Sequence, residues 1–145
     1  MKIMAVDYGD ARTGLAVCDR TEFLASPIGT IEERNMHLLA MKVAHMAQQY
    51  EVGEIVVGLP LNMNGSFGPR AEKCRAFADM LNEIAPCPVN MWDERSTTVS
   101  AHNILNETNV RGKKRKAVVD TVAATLILEG YLEYRKNKKA SEQGQ

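Results

Sequence analysis

The sequence predicts an α/β domain whose mixed five-stranded sheet, three antiparallel strands and then two parallel ones, is flanked by helices. Two observations lead to this fold class. Extended apolar runs separated by turns fill the first 31 residues, and from residue 35 helical apolar spacing alternates with short apolar runs. A length of 145 residues supports one hydrophobic core. We therefore expect one domain over residues 1–137 and a polar C-terminal tail over residues 138–145.

The first three strands are predicted from the turns between them. Residues 2–8 form an apolar run, and a second run over residues 15–18 follows a turn bounded by glycines, so the two runs indicate a hairpin. Residues 23–31 form a third extended stretch that contains Pro27. Because proline cannot donate a hydrogen bond to a neighbouring strand, this stretch is expected at an edge of the sheet.

The period of the apolar residues then changes. Asn35 is expected to cap a first helix that runs to about residue 50. The apolar stripe of this helix is predicted to contain Leu38, Leu39, Val43, Met46 and Ala47. Residues 54–58 indicate a buried strand, Pro69 suits the first turn of a second helix, and residues 88–92 indicate the fifth strand.

Two further helices complete the predicted fold. The hydroxyl residues at 96–98 can cap a third helix that runs to residue 105. After a basic loop, a final helix is expected from about residue 117 to residue 134. Both helices follow the last strand, as in other α/β domains with helices on the faces of the sheet.

The net charge is zero, but the charges are divided unevenly along the chain. Residues 1–110 carry 9 basic and 14 acidic side chains, whereas residues 111–139 carry 9 basic and 3 acidic ones. A cationic segment on an acidic body indicates a polyanionic partner such as nucleic acid. No apolar run reaches the length of a membrane span and no export signal is visible, so we expect a cytoplasmic protein without a membrane partner.

Acidic residues mark three places in the predicted fold. Asp7 lies near the end of the first strand, Asp93 and Glu94 follow the fifth, and Asp120 lies in the first turn of the final helix. Ligands of open α/β sheets bind at the carboxyl ends of strands, so Asp93 or Glu94 could face Asp7. Each acid also has a structural alternative: turn capping for Asp7, pairing of Asp93 with Arg95, and interaction of Asp120 with the helix dipole.

Carboxylates from three separate elements are typical of a two-metal phosphodiesterase. Their oxygen atoms suit Mg²⁺ or Mn²⁺. Five basic residues precede the final helix closely and are predicted to contact a phosphate backbone, which carries no base sequence of its own. These residues are Arg111, Lys113, Lys114, Arg115 and Lys116.

Four sequence segments in this order resemble the YqgF or RuvX family of Holliday junction resolvases and precursor 16S ribosomal RNA nucleases, which have an RNase H-like fold. The matching segments are Asp7-Tyr8-Gly9 with Arg12 and Gly14, residues 57–65, residues 93–98, and Asp120 with Ala123-Ala124. The resemblance extends over residues 1 to about 134. Its order and spacing are far more specific than any one motif.

The resemblance implies that Asp7, Glu94 and Asp120 are the catalytic and metal-binding acids, with Asp93 competing with Glu94 for the second position. RuvC-type resolvases, which are distantly similar, take an acid from the strand after the first helix. No acidic residue lies between residues 55 and 70 here, so Glu94 would replace that ligand. Four other residues of these segments are expected to contact nucleic acid: Arg12, Asn62, Asn64 and Arg95.

These features predict a nuclease that acts on structured nucleic acid, with 5′-end processing of precursor 16S ribosomal RNA as the leading function. The alternatives are a Holliday junction resolvase and a nucleic-acid-binding module without catalysis. Phosphate-binding side chains do not distinguish RNA from branched DNA. A resolvase would need two sites and therefore a homodimer, whereas end trimming needs only a monomer. Actin-like ATPases also begin with a similar hairpin, but they need two lobes and this chain has length for one.

Overall fold

The structure is a computed structural model of the protein and describes residues 1–96 and 112–143. For residues 96, 112–121 and 141–143 it describes the backbone alone. In chain order the elements are β1 (Ile3–Asp7), β2 (Arg12–Cys18), β3 (Ala25–Glu32), α1 (Met36–Gln49), β4 (Glu54–Leu59), α2 (Pro69–Ile84), β5 (Val89–Asp93), a short 3-10 helix (Glu94–Ser96) and α3 (Gly112–Gln143).

The five strands form one mixed sheet in the order β3-β2-β1-β4-β5. The pairs β1–β2 and β2–β3 are antiparallel, and the pairs β1–β4 and β4–β5 are parallel. The predicted fold class is therefore confirmed. Pro27 lies on the edge strand β3, next to the irregularity in pairing that follows Leu15, as expected for a residue without a backbone donor.

Hydrophobic clusters lie on both faces of the sheet, so its central strands are buried from both sides. One cluster packs α1 and α2 against Met4, Val6 and Val57. The other packs α3 against Ile3 and Ala5 on the opposite face. All five residues of β1 are buried, and this agrees with the rule that parallel pairs at the centre of a sheet are covered on both faces.

The first helix begins where the sequence predicts. Asn35 is its N-cap, and the backbone N–H of Leu38 donates to the side-chain oxygen of Asn35 at 2.9 Å. The predicted stripe is wrong at Leu38, which is 46% exposed, and Ala40 is buried instead. Leu38 lies five residues from the buried Val43, so it points about 140° away around the helix.

The final helix is longer than predicted at both ends. The expected basic loop over residues 112–116 is helical, and so are residues 138–143 of the expected polar tail. The lysine, arginine, alanine and glutamate residues of these segments favour helix, and no proline interrupts them. Arg111 and the helix predicted to end at residue 105 lie outside the described residues, apart from Ser96 at its start. The domain boundary at residue 137 stays a prediction.

Buried polar contacts fix the position of α3 along the sheet. Glu54 at the start of β4 is 6% exposed and accepts hydrogen bonds from the hydroxyl of Tyr131 and, at 3.1 Å, from the side-chain amide of Asn90. Arg135 donates to the same carboxylate at 3.4 Å and to Glu22 at 2.6 Å. Burial, together with the bond to Glu54, raises the pKa of Tyr131 to about 12. This cluster anchors α3 to the amino end of β4.

Gly58 allows α3 to pack closely at the other end of the same strand. A Cβ atom at Gly58 would lie 2.5 Å from Cδ1 of Ile127 and 2.8 Å from Cδ of Glu94. Ile127 is 1% exposed, so it has little room to move. Among the described residues, no helix is both long and apolar enough to cross a membrane.

Replacing Leu81 with alanine is expected to lower the free energy of unfolding by about 2–5 kcal/mol, because it leaves a cavity in the core. Leu81 is fully buried between α2 and the sheet. Leu38→Ala, at a helical position that is 46% exposed, is the control and should change stability by about 0.5 kcal/mol or less. Urea denaturation measures both, and equal losses would contradict the burial described for α1 and α2.

Gly58→Ala is expected to lower the free energy of unfolding by about 1–3 kcal/mol, because Ile127 and Glu94 must both move away from the added methyl group. The matched control is Gly53→Ala, whose methyl group would meet only the Met1 side chain at close range, and Met1 is 44% exposed. Thermal denaturation of the two variants would show no difference if α3 did not contact Gly58.

Candidate active site

Two of the predicted acids lie side by side at the carboxyl edge of the sheet. Asp7 is the last residue of β1 and is 8% exposed. Because side chains alternate between the two faces of a strand, Asp7 points to the same face as Ile3 and Ala5, which is the face covered by α3. The pairing of Val6 with Val57 brings Asp7 level with Gly58 on the adjacent strand, at a strand spacing of about 4.8 Å. The carboxylate of Glu94 lies over Gly58. The structure therefore brings Asp7 and Glu94 together.

Burial and neighbouring charges shape the electrostatics of this edge. Burial raises the pKa of Glu94, the negative charge of Asp93 raises it further, and the positive charge of Arg70 opposes both. Burial also raises the pKa of the Cys74 thiol to about 12, with added contributions from Glu94 and Asp7. Ionisation of Glu94 is thus disfavoured at an edge that also holds Asp7 and Asp93, and a bound cation would offset the cost of keeping these carboxylates charged.

Asp93 differs from Glu94 in its contacts. Its carboxylate accepts hydrogen bonds from the backbone N–H of Arg95 at 3.0 Å and from Nε at 2.8 Å, and Nη2 of Arg95 lies 2.6 Å away. These hydrogen bonds lower the pKa of Asp93. The pairing of Asp93 with Arg95, considered above as the structural alternative, is therefore present in the structure.

The backbone of α3 brings position 120 toward the same edge. Ile127 contacts the position of Gly58 near the end of β4, and Tyr131 contacts Glu54 at its start, so α3 runs antiparallel to β4. Residue 120 precedes Ile127 by seven residues, which is about two turns, and so it lies on the same side of the helix. The side chain of Asp120 lies outside the described part of the chain, and its role stays a prediction.

The loop over residues 60–68 borders the two acids. Its shape depends on Ser66, whose side chain bonds Asn62 at 3.0 Å and Asn64 at 2.6 Å. Arg95 joins the loop to the end of β5 by donating to the carbonyl of Met63 at 3.3 Å. The two asparagines therefore stabilise the loop, and their predicted contact with nucleic acid stays a prediction.

The remaining predicted binding residues lie on two elements. Arg12 begins β2, and its Nε lies 3.6 Å from a carboxylate oxygen of Glu32 on β3. The basic positions 113–116 form the second to fifth residues of α3, before position 120 and therefore farther toward the carboxyl edge. Their side chains are not among those described, and Arg111 lies outside the described residues altogether.

Sequence reasoning missed two residues of this site. Arg70, in the first turn of α2, donates from Nη2 to the carbonyl of Tyr8 at 3.0 Å, directly after Asp7. An exposed arginine after a helix-starting proline gives no distinctive sequence signal. Gly58 was visible as a glycine within a predicted buried strand, where it often marks a close approach of another group.

Metal binding requires several ligand side chains close to one another. Within the part of the chain that the structure describes, no group of three or more His, Cys, Asp or Glu side chains lies close enough to hold a metal ion. Two carboxylates, Asp7 and Glu94, are in place on the described elements, and the third predicted ligand is Asp120. The cysteines are free thiols, with Cys18 and Cys74 buried.

Comparison with known proteins identifies the family to which the chain belongs. A family model described as "RuvX: Holliday junction resolvase" matches residues 1–134. A Halothermothrix orenii protein named "Putative pre-16S rRNA nuclease" is 46% identical over 135 residues, which are 93% of this chain and 96% of that protein. These matches confirm the nuclease family predicted from the sequence.

Solved structures confirm the RNase H-like fold. Thermus thermophilus RuvC superposes with a TM-score of 0.57 at 11% identity, over 94% of this chain and 97% of RuvC. The Holliday junction resolvase of fowlpox virus superposes with a TM-score of 0.55 at 16% identity, over 92% of this chain and 99% of the viral protein. With the RuvX model matching nearly the whole chain, the protein belongs to the RuvX family.

Proposed function

We propose that this protein is a metal-dependent nuclease that trims the 5′ end of precursor 16S ribosomal RNA. The observation that carries the proposal is the meeting of Asp7 and Glu94 at the carboxyl edge of the sheet, the place where ligands of open α/β sheets bind. The name of the Halothermothrix orenii relative supports the substrate. Precursor 16S ribosomal RNA is a cytoplasmic substrate, so the proposed location of the protein is the cytoplasm.

Asp7, Glu94 and Asp120 are the proposed ligands of the metal. Carboxylate oxygens are hard donors and favour Mg²⁺ or Mn²⁺ over zinc. A divalent ion held there would activate water and neutralise charge on the phosphate. Asp7 and Glu94 fit this role because Asp7 is buried, Glu94 is partly buried, and the two carboxylates lie next to each other at the carboxyl edge.

Glu94 is the better of the two adjacent acids for the second ligand position. Its carboxylate lies over Gly58, next to Asp7, whereas the carboxylate of Asp93 is held by three contacts with Arg95. We assign Asp93 the role of orienting Arg95. Arg95 would then face the nucleic acid with its position fixed by Asp93 and by the carbonyl of Met63.

Basic residues would hold the substrate while the acids hold the metal. The proposed phosphate contacts are Arg12, Arg95, Arg111 and the cations at positions 113–116, with Asn62 and Asn64 touching the strand from the loop. Carboxylates alone would repel a phosphodiester, so cations on the rim are needed to bring it to Asp7.

Holliday junction cleavage is the second candidate, and the description of the matching family favours it. A resolvase cuts two strands, so the protein would act as a symmetric homodimer, whereas end trimming requires one site and allows a monomer. Incubating the purified chain with a precursor 16S transcript and with a four-way DNA junction, side by side, distinguishes the two. Cleavage of the junction alone would contradict the ribosomal proposal.

Asp7→Asn and Glu94→Gln are each expected to reduce metal-dependent cleavage by about 100-fold or more, because each removes a charged metal ligand. Mn²⁺ at about 100 times its dissociation constant should stabilise the wild-type protein by about 2.7 kcal/mol, and this gain should disappear in Glu94→Gln. Gel assays of cleavage and thermal denaturation with and without Mn²⁺ measure the two effects.

The control for these variants is Asp10→Asn, which removes an exposed acid three residues from Asp7 that lies 3.2 Å from Lys73. It should retain cleavage and the response to Mn²⁺. Full activity in Asp7→Asn would refute the catalytic assignment. Binding of nucleic acid by a wild-type protein that never cleaves it would instead support the non-catalytic module.

Replacing Lys113, Lys114, Arg115 and Lys116 together with glutamine should weaken nucleic-acid binding and lower the slope of log K against log salt by roughly 3, if all four contact phosphate. The control variant replaces Lys136, Lys138 and Lys139, exposed cations at the far end of α3. Titrations by fluorescence anisotropy at several salt concentrations measure the slopes. If both variants lost the same amount of salt slope per charge removed, residues 113–116 would not be part of the nucleic-acid interface.

A further inference from the structure

We propose that Arg70 is a substrate-binding residue that holds a backbone phosphate of the nucleic acid beside the metal-binding acids. This inference deepens the proposed function and rests on it for the class of substrate. Neither the sequence motifs nor the basic segment at the start of α3 pointed to Arg70. Three features of the structure lead to it: position, charge and exposure.

Arg70 belongs to α2, which covers the face of the sheet opposite to α3. Arg70 lies in the first turn of α2, and its Nη2 donates to the carbonyl of Tyr8 at 3.0 Å. The ring of Tyr8 stacks on the buried ring of Phe77, with 5.0 Å between the centroids, so the acceptor is itself firmly held. The guanidinium is therefore anchored one residue beyond Asp7.

The charge of Arg70 acts on the acidic edge. The bond to Tyr8 holds its positive charge next to Asp7, and this charge opposes the effect of burial on the pKa values of both Glu94 and Cys74. A phosphate that approached Asp7 and Glu94 would meet this charge next to the metal ligands. Arginine also matches phosphate in geometry, since its planar fork can donate two parallel hydrogen bonds.

Exposure separates Arg70 from an arginine with a purely structural role. The bond to Tyr8 occupies one of five N–H donors, and the side chain as a whole is exposed to solvent. Arg135 offers a contrast, because it is mostly buried and is bound to the carboxylates of Glu22 and Glu54. Arg70 combines an anchored position with a face open to solvent, as a residue that binds phosphate requires.

Arg70→Gln tests the proposal, with Arg70→Lys as the variant that keeps the charge. Arg20→Gln is the matched control, because Arg20 is 82% exposed and pairs with Glu51 near the opposite end of the sheet. Binding is measured on a four-way DNA junction and on a hairpin RNA with a single-stranded 5′ extension. Ca²⁺ replaces Mg²⁺, and KCl is varied from about 50 to 200 mM.

Arg70→Gln should weaken binding to both probes by about tenfold and lower the salt slope by about 0.7–0.9, the value for one lost phosphate contact. Arg70→Lys should keep the slope and lose part of the affinity, and Arg20→Gln should behave as wild type. The Mn²⁺ response of Arg70→Gln should be retained, since the proposed metal ligands Asp7 and Glu94 are unchanged, whereas the lost bond to Tyr8 should lower thermal stability slightly.

Three results would overturn the proposal: an unchanged salt slope in Arg70→Gln, an equal loss in Arg20→Gln, or loss of the Mn²⁺ response in Arg70→Gln. The last would show that Arg70 only positions the acids. If Arg70→Gln does not fold, a reduced salt slope in Arg70→Lys likewise overturns it. Because binding is measured without cleavage, failure of the nuclease proposal shows separately, as a wild-type protein that binds both probes and cuts neither with Mg²⁺.

Discussion

The candidate site depends most on one contact. Both α3 and Glu94 pack against Gly58, a position of β4 that has no side chain. Gly58 leaves room for the ends of Ile127 and Glu94 at the carboxyl end of β4. A larger residue there would push the helix away from the sheet and the carboxylate away from Asp7. Tight packing of the core and the position of the proposed metal ligand Glu94 therefore depend on the same missing methyl group.

Burial of charge is the second constraint on this site. Burial and the neighbouring Asp93 both disfavour the ionised form of Glu94, and Arg70 only partly compensates. Proteins commonly retain such unfavourable arrangements where a ligand requires them. The contrast with the cluster around Glu54 is informative, because there arginine, tyrosine and asparagine side chains surround the buried carboxylate and satisfy it.

Much of the fold follows from local sequence, and the reasons for the exceptions are physical. Apolar runs separated by turns predicted the sheet, Pro27 its edge and Asn35 the first cap, because each depends on neighbours in the chain. The extent of α3 was underestimated because charged residues read as a loop also favour helix. The sequence placed either Asp93 or Glu94 near Asp7 and left the choice open, because the two acids are adjacent in the chain. Arg70 lies in the site through a contact with Tyr8, 62 residues away in sequence.

The anchoring of α3 at Glu54 gives the helix the function of a fixed spacer. Tyr131 and position 120 are separated by 11 residues of continuous helix, or about 16 Å along its axis. A slip of one residue at the anchored end would turn position 120 by about 100° and move it away from the acidic edge. The hydrogen bonds of Glu54 thus set the registration of position 120, a proposed metal ligand about 16 Å away along the helix axis.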